Sequence, residues 1–228
     1  MRVAPNLPTV MKKIKIYSAI LLSIFMANCS STKSSIQPIN LDTAKDAVQK
    51  YYELGEYDRE CKSIIDNAIE YINSLTIKNN SAVVFDVDDT ALSNYDLTKE
   101  IGFGYIYKLW YEWIQNGKAP AIKETKRFYD YLISKNIHII FLTGRYAEMI
   151  ECTHKNLKEQ GFAKYDTLIV RSSSETKMAA AEYKSQKRND LVKKGYDIIA
   201  CIGDQQSDLT GSYTGYKIKL PDYLYLID

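Results

Sequence analysis

Histidine and cysteine are scarce in this chain. It has two histidines, His138 and His154, and four cysteines in 228 residues. They are scattered, so none of them makes a zinc site with the usual ligand spacing. His138 opens an apolar run and His154 falls on a polar helical pattern, so both read as structural or solvated, not catalytic. No apolar run is long enough to cross a bilayer, and no internal repeat is visible, which excludes a solenoid. Excess basic charge is also missing from the body of the chain. The formal net charge is +2, but Arg2, Lys12, Lys13 and Lys15 all lie in the first 28 residues, which hold no acid. Without them 26 basic residues face 28 acidic ones, a net of −2. A polymeric nucleic-acid partner loses its electrostatic support.

Those first 28 residues read as an export signal. Three lysines precede "IYSAILLSIFMA" (16–27), an apolar stretch of 12 residues. That length suits a signal core and is too short for a span. "NCSSTKSS" follows. A cysteine directly after the apolar stretch, then a serine-rich tether, reads as a lipoprotein signal with Cys29 lipidated, although Asn28 stands where a small residue is usual. The rival is an ordinary secretory signal cleaved nearby. The expected organisation is 1–28 signal, 29–40 tether and 41–228 catalytic domain. The expected location is the cell envelope, lipid-anchored at the outer membrane or its periplasmic face. Cys61, Cys152 and Cys201 remain, an odd number that cannot pair completely. Cys61 on a helical stripe and Cys201 in a strand read as buried thiols.

What the body does have is alternation. From Asp42 two helices are predicted, broken near Gly55, the second with an apolar stripe through Tyr57, Cys61, Ile64, Ile65, Ala68, Ile69, Ile72 and Leu75. Short apolar runs then alternate with helical patterns: "SAVVFD" (81–86), "IHIIFLT" (137–143), "DTLIV" (166–170), "DIIACIG" (197–203) and a short "YKIKL" (216–220). Continuously apolar strands separated by helices predict a doubly wound, Rossmann-like parallel sheet covered on both faces. Ligands bind such sheets beyond the carboxyl ends of the strands. Residues 93–120 interrupt the rhythm. They carry Phe103, Tyr105, Tyr107, Trp110, Tyr111 and Trp113 and are too long for a simple connection. They are predicted to form a small helical cap inserted after the first strand.

The polar residues fall at the predicted strand ends. Asp86 and Asp88 end the first strand and Thr143 ends the second. Asp204 ends the fourth, with Asp208 four residues on. Lys184 precedes Ser185, which is expected to cap the helix leading into the fourth strand. Carboxylates gathered at one sheet edge repel one another unless a hard divalent cation joins them. Oxygen ligands without histidine or cysteine favour Mg²⁺. An aspartate can attack a phosphoryl group and form an aspartyl-phosphate. A second carboxyl can protonate the leaving oxygen and then activate water. Thr143, the Gly144 amide and Lys184 could hold the phosphoryl oxygens. A calcium loop is excluded, because Ala91 and Leu97 stand where its glycine and bidentate acid belong.

Taken together, "FDVDDTALSN", "FLTGR", "EYKSQKR" and "GDQQSDL" resemble the four motifs of the haloacid dehalogenase (HAD) superfamily. More narrowly they resemble the class C lipoprotein acid phosphatases and the plant acid phosphatase and vegetative storage protein group. The likeness covers roughly residues 45–225. It implies Asp86 as nucleophile and Asp88 as acid/base, with Thr143, Gly144 and Lys184 on the phosphate. It also singles out Lys184 from its neighbours Lys177 and Lys187. It further implies Mg²⁺ on the Asp86 side chain, the Asp88 carbonyl and Asp204, with Asp208 in support. The implied activity is an acid phosphatase acting on small phosphate esters, 5′-nucleotides among the candidates. The alternative is a non-catalytic binding or storage protein on the same scaffold. One of Phe103, Tyr105, Trp110 or Trp113 is expected to stack on the substrate.

Overall fold

The computed structural model describes Met1 and residues 38–227. The expected signal, Cys29 and nearly all of the expected tether lie outside the described residues. The chain divides into residues 1–40 and 41–228, and the second unit carries the sheet and its helices. It opens with α1 (Leu41–Glu53) and α2 (Glu56–Asn73), separated where Gly55 adopts a left-handed φ of +83° that ends one helix and admits the next. Helix α2 buries Tyr57, Cys61, Ile65, Ala68 and Ile72, one per turn, which is the face the sequence marks as apolar.

The sheet has five strands: β1 (Ser81–Phe85), β2 (His138–Tyr146), β3 (Thr167–Arg171), β4 (Asp197–Gly203) and β5 (Tyr216–Lys219). They are parallel, in the order β3-β2-β1-β4-β5. The chain moves outward from β1 to β3, then crosses back to place β4 on the other side of β1. That reversal opens a crevice at the carboxyl ends of β1 and β4. The helices between the strands are α5 (Lys123–Ser134), α6 (Ile150–Glu159) and α7 (Ala180–Lys193), with the short α8 (Gln206–Leu209) after β4.

Side chains alternate through the sheet and make two cores. Val83, Phe85, Ile139 and Phe141 face α2 and α5 along with Phe128 and Leu132. Ala82, Val84, Ile140 and Leu142 face α7 through Tyr183 and Leu191. Because both faces are covered, β1 is buried at every position. Truncating a buried phenylalanine such as Phe85 to alanine would cost about 3–5 kcal/mol. The sheet edge is therefore a stiff platform.

The interrupting segment forms two helices, α3 (Tyr95–Glu100) and α4 (Tyr107–Asn116). Its two ends are pinned together by an antiparallel bridge between Leu92 and Ala121, by Ser93 N–H donating to Pro120 O at 2.8 Å, and by Ile122 N–H donating to Ala91 O at 3.0 Å. Closing the base this way lets residues 93–120 rise from the sheet edge without disturbing β1. Cys61, Cys152 and Cys201 carry free thiols, the first and last of them buried. His138 bonds Asp166 and the Asn79 carbonyl, and His154 bonds the Tyr165 hydroxyl, all away from the crevice. Among the described residues no helix is long and apolar enough to cross a membrane.

Candidate active site

At the β1–β4 crevice, one carboxylate oxygen from each of Asp86, Asp204 and Asp208 lies within 4.8 Å of the others. All three residues are buried. The backbone sets this up. Asp86 N–H donates to Ile202 O at 3.0 Å, tying the end of β1 to β4. Gly203 supplies the space for Asp208: a Cβ there would lie 2.2 Å from Asp208 Oδ2. Asp208 Oδ2 in turn accepts from Gln205 N–H at 2.9 Å, closing a capping box around α8.

Lys184 enters this cluster from α7. Its Nζ sits 2.6 Å from Asp86 Oδ1 and also bonds Asp208 Oδ1. The expected cap at Ser185 is not found. Helix α7 begins at Ala180, with Ala179 as N-cap, so Lys184 and Ser185 lie inside it. A run of alanines, the best helix formers, starts the helix early. The Ser185 hydroxyl instead accepts from Ser212 N–H at 3.1 Å. Starting early places Lys184 and Arg188 one turn apart on one face. Arg188, fully buried, donates to the carbonyls of Asp208, Thr210 and Ser212 and so clamps the loop that presents Asp208. Of the rival lysines, Lys187 pairs with Glu175 at 2.5 Å and Lys177 is exposed.

One ammonium does not cancel three carboxylates. At about 4 Å and an effective dielectric near 20, each like-charged pair repels by about 4 kcal/mol. Burial pushes the Asp86 carboxyl up, and Asp208 and Asp88 add to this, while Lys184 pulls it back only in part. Burial followed by the charges of Asp86 and Asp208 drives Asp204 well above the aspartate range. For Lys184 burial works against the charge, but Asp208 and Asp86 outweigh it and raise its pKa. The cluster is short of positive charge. An all-oxygen donor set with that deficit fits a hard divalent cation.

Asp88 is placed differently. The turn after β1 bends at Asp89, which has φ +52°, and the amides of Ala91 and Leu92 both donate to Val87 O. This bend aims Asp88 away from the cluster, onto Arg145. Arg145 Nε lies 3.0 Å from Asp88 Oδ2 and Nη2 lies 2.8 Å from Oδ1. Its Nη1 is held by Thr153 at 3.0 Å, and the whole side chain is buried. The Asn94 amide donates to Asp88 Oδ1 at 2.8 Å, and Asn94 itself accepts from Trp113 Nε1 at 2.9 Å. Burial raises the Asp88 pKa, but Arg145 and Asn94 outweigh it and hold the carboxyl below its ordinary value. Thr143 Oγ1 lies 3.5 Å from Asp88 Oδ2 and accepts from Arg145 N–H at 3.1 Å. Strand β2 does not end at Thr143 but runs on to Tyr146, although regular pairing with β3 slips after Leu142. Gly144 lies at the mouth, with no atom within 4 Å of where its Cβ would be.

Three contributors escaped the sequence reading. Arg145 lies inside "FLTGR" but carried no assigned role. Thr90 accepts from Asp204 N–H at 3.0 Å and donates to Asp204 Oδ1 at 3.2 Å, joining the first and fourth motifs. Asn94 ends the quoted "FDVDDTALSN" unremarked. The one available signal was adjacency to motif residues, since a buried arginine cannot be told from a solvated one without its partners. Asp89 accepts from Asn94 N–H at 2.8 Å and from the Tyr225 hydroxyl at 2.9 Å.

A parallel sheet of order 3-2-1-4-5, with aspartates at the switch point, a lysine reaching in from the penultimate crossover and a cap after β1, defines a HAD-type phosphohydrolase. The model of the HAD superfamily, subfamily IIIB (acid phosphatase), matches residues 9–228, and the chain belongs to that family. It is accordingly an acid phosphatase, a phosphoric monoester hydrolase. It is 33% identical to vegetative storage protein 1 of Arabidopsis thaliana over 220 residues, 90% of this chain and 81% of the relative. It is 32% identical to acid phosphatase 1 of Solanum lycopersicum over 212 residues, 87% of this chain and 83% of the relative. Its fold is similar to that of the class C acid phosphatase from Bacillus anthracis, with a TM-score of 0.67 at 23% identity, covering 82% of this chain and 86% of the other.

Proposed function

We propose that the chain is a Mg²⁺-dependent phosphomonoesterase acting through an aspartyl-phosphate on Asp86. The observation that carries this reading is the buried Asp86–Asp204–Asp208 cluster with Lys184 as its counter-charge. Asp86, Asp204 and the Asp88 backbone carbonyl would hold the cation, with Asp208 in support. When bound, it neutralises the carboxylates and the phosphoryl group they must approach.

The chain's own residues do the rest. Lys184 holds Asp86 Oδ1 and balances charge as the phosphate dianion enters. The Thr143 hydroxyl and the Gly144 amide donate to phosphoryl oxygens at the open mouth. Asp86 forms a bond to phosphorus as the ester P–O bond breaks, and Asp88, protonated as the phosphate dianion enters beside it, delivers that proton to the departing alkoxide oxygen. Asp88 then takes a proton from water as that water attacks phosphorus and the Asp86–phosphorus bond breaks. Inorganic phosphate leaves and both carboxyls are restored. Arg145 and Asn94 hold Asp88 in one orientation through both proton transfers. The non-catalytic alternative is weakened because Asp86, Asp88 and Asp204 are all intact.

The test is hydrolysis of p-nitrophenyl phosphate with Mg²⁺ and with EDTA. Asp86→Asn should lower turnover by about 10³-fold or more while the circular dichroism spectrum is unchanged. Full activity in that variant, or activity indifferent to EDTA, would sink the mechanism.

The cap is proposed to select the alcohol part of the substrate, with 5′-nucleotides as candidates. Tyr105 and Tyr107 are exposed and flank a half-buried Trp110, making an aromatic ladder with ring centroids 6.2–6.4 Å from Trp110 to each tyrosine. The Tyr105 phenol is raised by burial, by Tyr107 and Tyr146, and by the charge of Asp88. Trp113 is committed to Asn94 and Phe103 packs beside Tyr95, so the ladder is the better platform. Tyr105→Ala should raise KM for a 5′-nucleotide about 5–10-fold, from the loss of about 1–1.5 kcal/mol of stacking, with no change for glycerol phosphate. Equal KM shifts for both substrates would remove the stacking role.

We further infer export and lipid anchoring at Cys29, supported by the apolar stretch, the following cysteine and the serine-rich tether. Labelled palmitate should enter the wild-type chain and not Cys29→Ser. Equal labelling of the two would overturn the anchor.

A further inference from the structure

After β5 the chain turns back across the carboxyl edge of the sheet. Leu220 N–H donates to Gly203 O at 3.0 Å, and Leu224 N–H donates to Asp222 Oδ1 at 2.8 Å, forming a tight turn. The segment then makes two polar contacts with the active-site loops. The Tyr225 hydroxyl donates to Asp89 Oδ2 at 2.9 Å, and Ile227 N–H donates to Gln205 Oε1 at 2.9 Å. The Tyr223 ring packs edge-on against Tyr51 of α1, centroids 4.8 Å apart, which anchors the turn to the rest of the fold.

The second contact decides an orientation. Gln205 is buried, and its side-chain amide can point either way round. A donor such as the Ile227 N–H can bond the amide oxygen but not the amide nitrogen. The amide nitrogen must then face Asp204, and it donates to Asp204 Oδ2 at 2.7 Å and to Asp222 Oδ2. Reversed, the amide would set its oxygen against a buried carboxylate. The first contact runs a parallel course. Asp89, held by Tyr225, accepts from the Asn94 backbone N–H, and the Asn94 amide donates to Asp88.

We propose that residues 222–227 are a positioning strap for the active site, with one arm through Gln205 to Asp204 and one through Tyr225 and Asp89 to Asp88. Neither arm touches substrate. The inference rests on the reading of Asp204 as a cation ligand. Partners that orient a metal ligand typically change metal affinity or activity 10–100-fold when removed, so the two arms should separate. The Gln205 arm governs cation affinity, and the Tyr225 arm governs turnover.

Five proteins test this: the wild type, a chain stopped after Tyr225, Gln205→Leu, those two changes combined, and Tyr225→Phe. Leu226 and Ile227 are exposed, so stopping after Tyr225 removes little of the core. Calorimetric titration with MgCl₂ alone should show affinity weakened about 10-fold or more in the shortened chain and in Gln205→Leu. It should be no weaker in the combination, because both changes cut one path. At saturating Mg²⁺ the shortened chain should keep kcat for p-nitrophenyl phosphate within about threefold, since only the cation arm is cut. Tyr225→Phe should do the reverse, leaving Mg²⁺ affinity alone and lowering kcat about 10-fold at unchanged KM. Wild-type affinity in the shortened chain, or additive losses in the combination, would overturn the strap. If the wild type binds no Mg²⁺, the cation reading fails and the strap with it. If the wild type binds and the variants match it, only the strap fails.

Discussion

Asp86 and Asp88 are two residues apart in the chain, yet they belong to different electrostatic regions. The Asp86 side holds three buried carboxylates and one ammonium. The Asp88 side pairs one carboxylate with one guanidinium, in a bidentate arrangement completed by Asn94. Burial is common to both sides, so burial alone does not explain why one carboxyl is raised and the other lowered. The local charge count does. The side with surplus negative charge is where a cation lowers the energy. The balanced side has nothing to gain from one, and there the structure invests in direction: a planar, two-point grip that leaves Asp88 one orientation.

Breaking the crowded side should have the largest effect after loss of the nucleophile itself. Lys184→Met leaves three buried carboxylates without their ammonium. Removing one partner of a buried pair typically costs about 3–5 kcal/mol. We expect a large fall in Tm in EDTA and substantial recovery in millimolar Mg²⁺, read by thermal unfolding in each. A variant equally stable with and without Mg²⁺ would show that the two cations do not share the site. On the balanced side, Arg145→Lys keeps the charge and loses the fork. It should lower kcat about 10-fold with Mg²⁺ affinity unchanged, measured by steady-state kinetics and calorimetry. A loss of Mg²⁺ affinity there would erase the distinction between the two regions.

The smallest effect tests the support of the crowded side. Lys187, one turn along α7 from Lys184, holds Glu175, whose carboxyl is lowered to about 2 by that lysine and by Ser172. A depressed carboxyl stabilises the fold above its unfolded value of about 4.3, and that contribution is lost as pH falls through the folded value. The Tm difference between the wild type and Glu175→Gln should therefore be greatest at pH 7 and shrink between pH 4 and pH 2. A difference that grows on acidification would reverse the sign and the assignment.

Much of this arrangement was legible along the chain. The observed strands fall within about a residue of the predicted ones at most ends, because continuous apolar runs in a sheet buried on both sides have sharp polar borders. Asp86 and Asp204 stand at such borders, and Lys184 falls in the third family motif. The error at Ser185 shows the weakness of local signals. A hydroxyl suited to capping lies inside a helix that alanines upstream start early, and it accepts from the Ser212 amide instead. Arg145 went unassigned for a related reason. Its role depends on Asp88 and Thr153, and 57 residues of chain separate it from the first of these.

Short-range periodicity and residue type are enough to specify the layered α/β fold, the aspartates at the strand ends and the aromatic insertion. The tertiary structure alone decided which cation serves which carboxylate, how the ends of the insertion close, and that the last residues return to hold Gln205 and Asp89. Those facts depend on strand order and on the turn at Asp89. The chain leaves β1 through a left-handed residue there, neighbouring carboxylates meet different partners, and no pattern of adjacent residues records that choice.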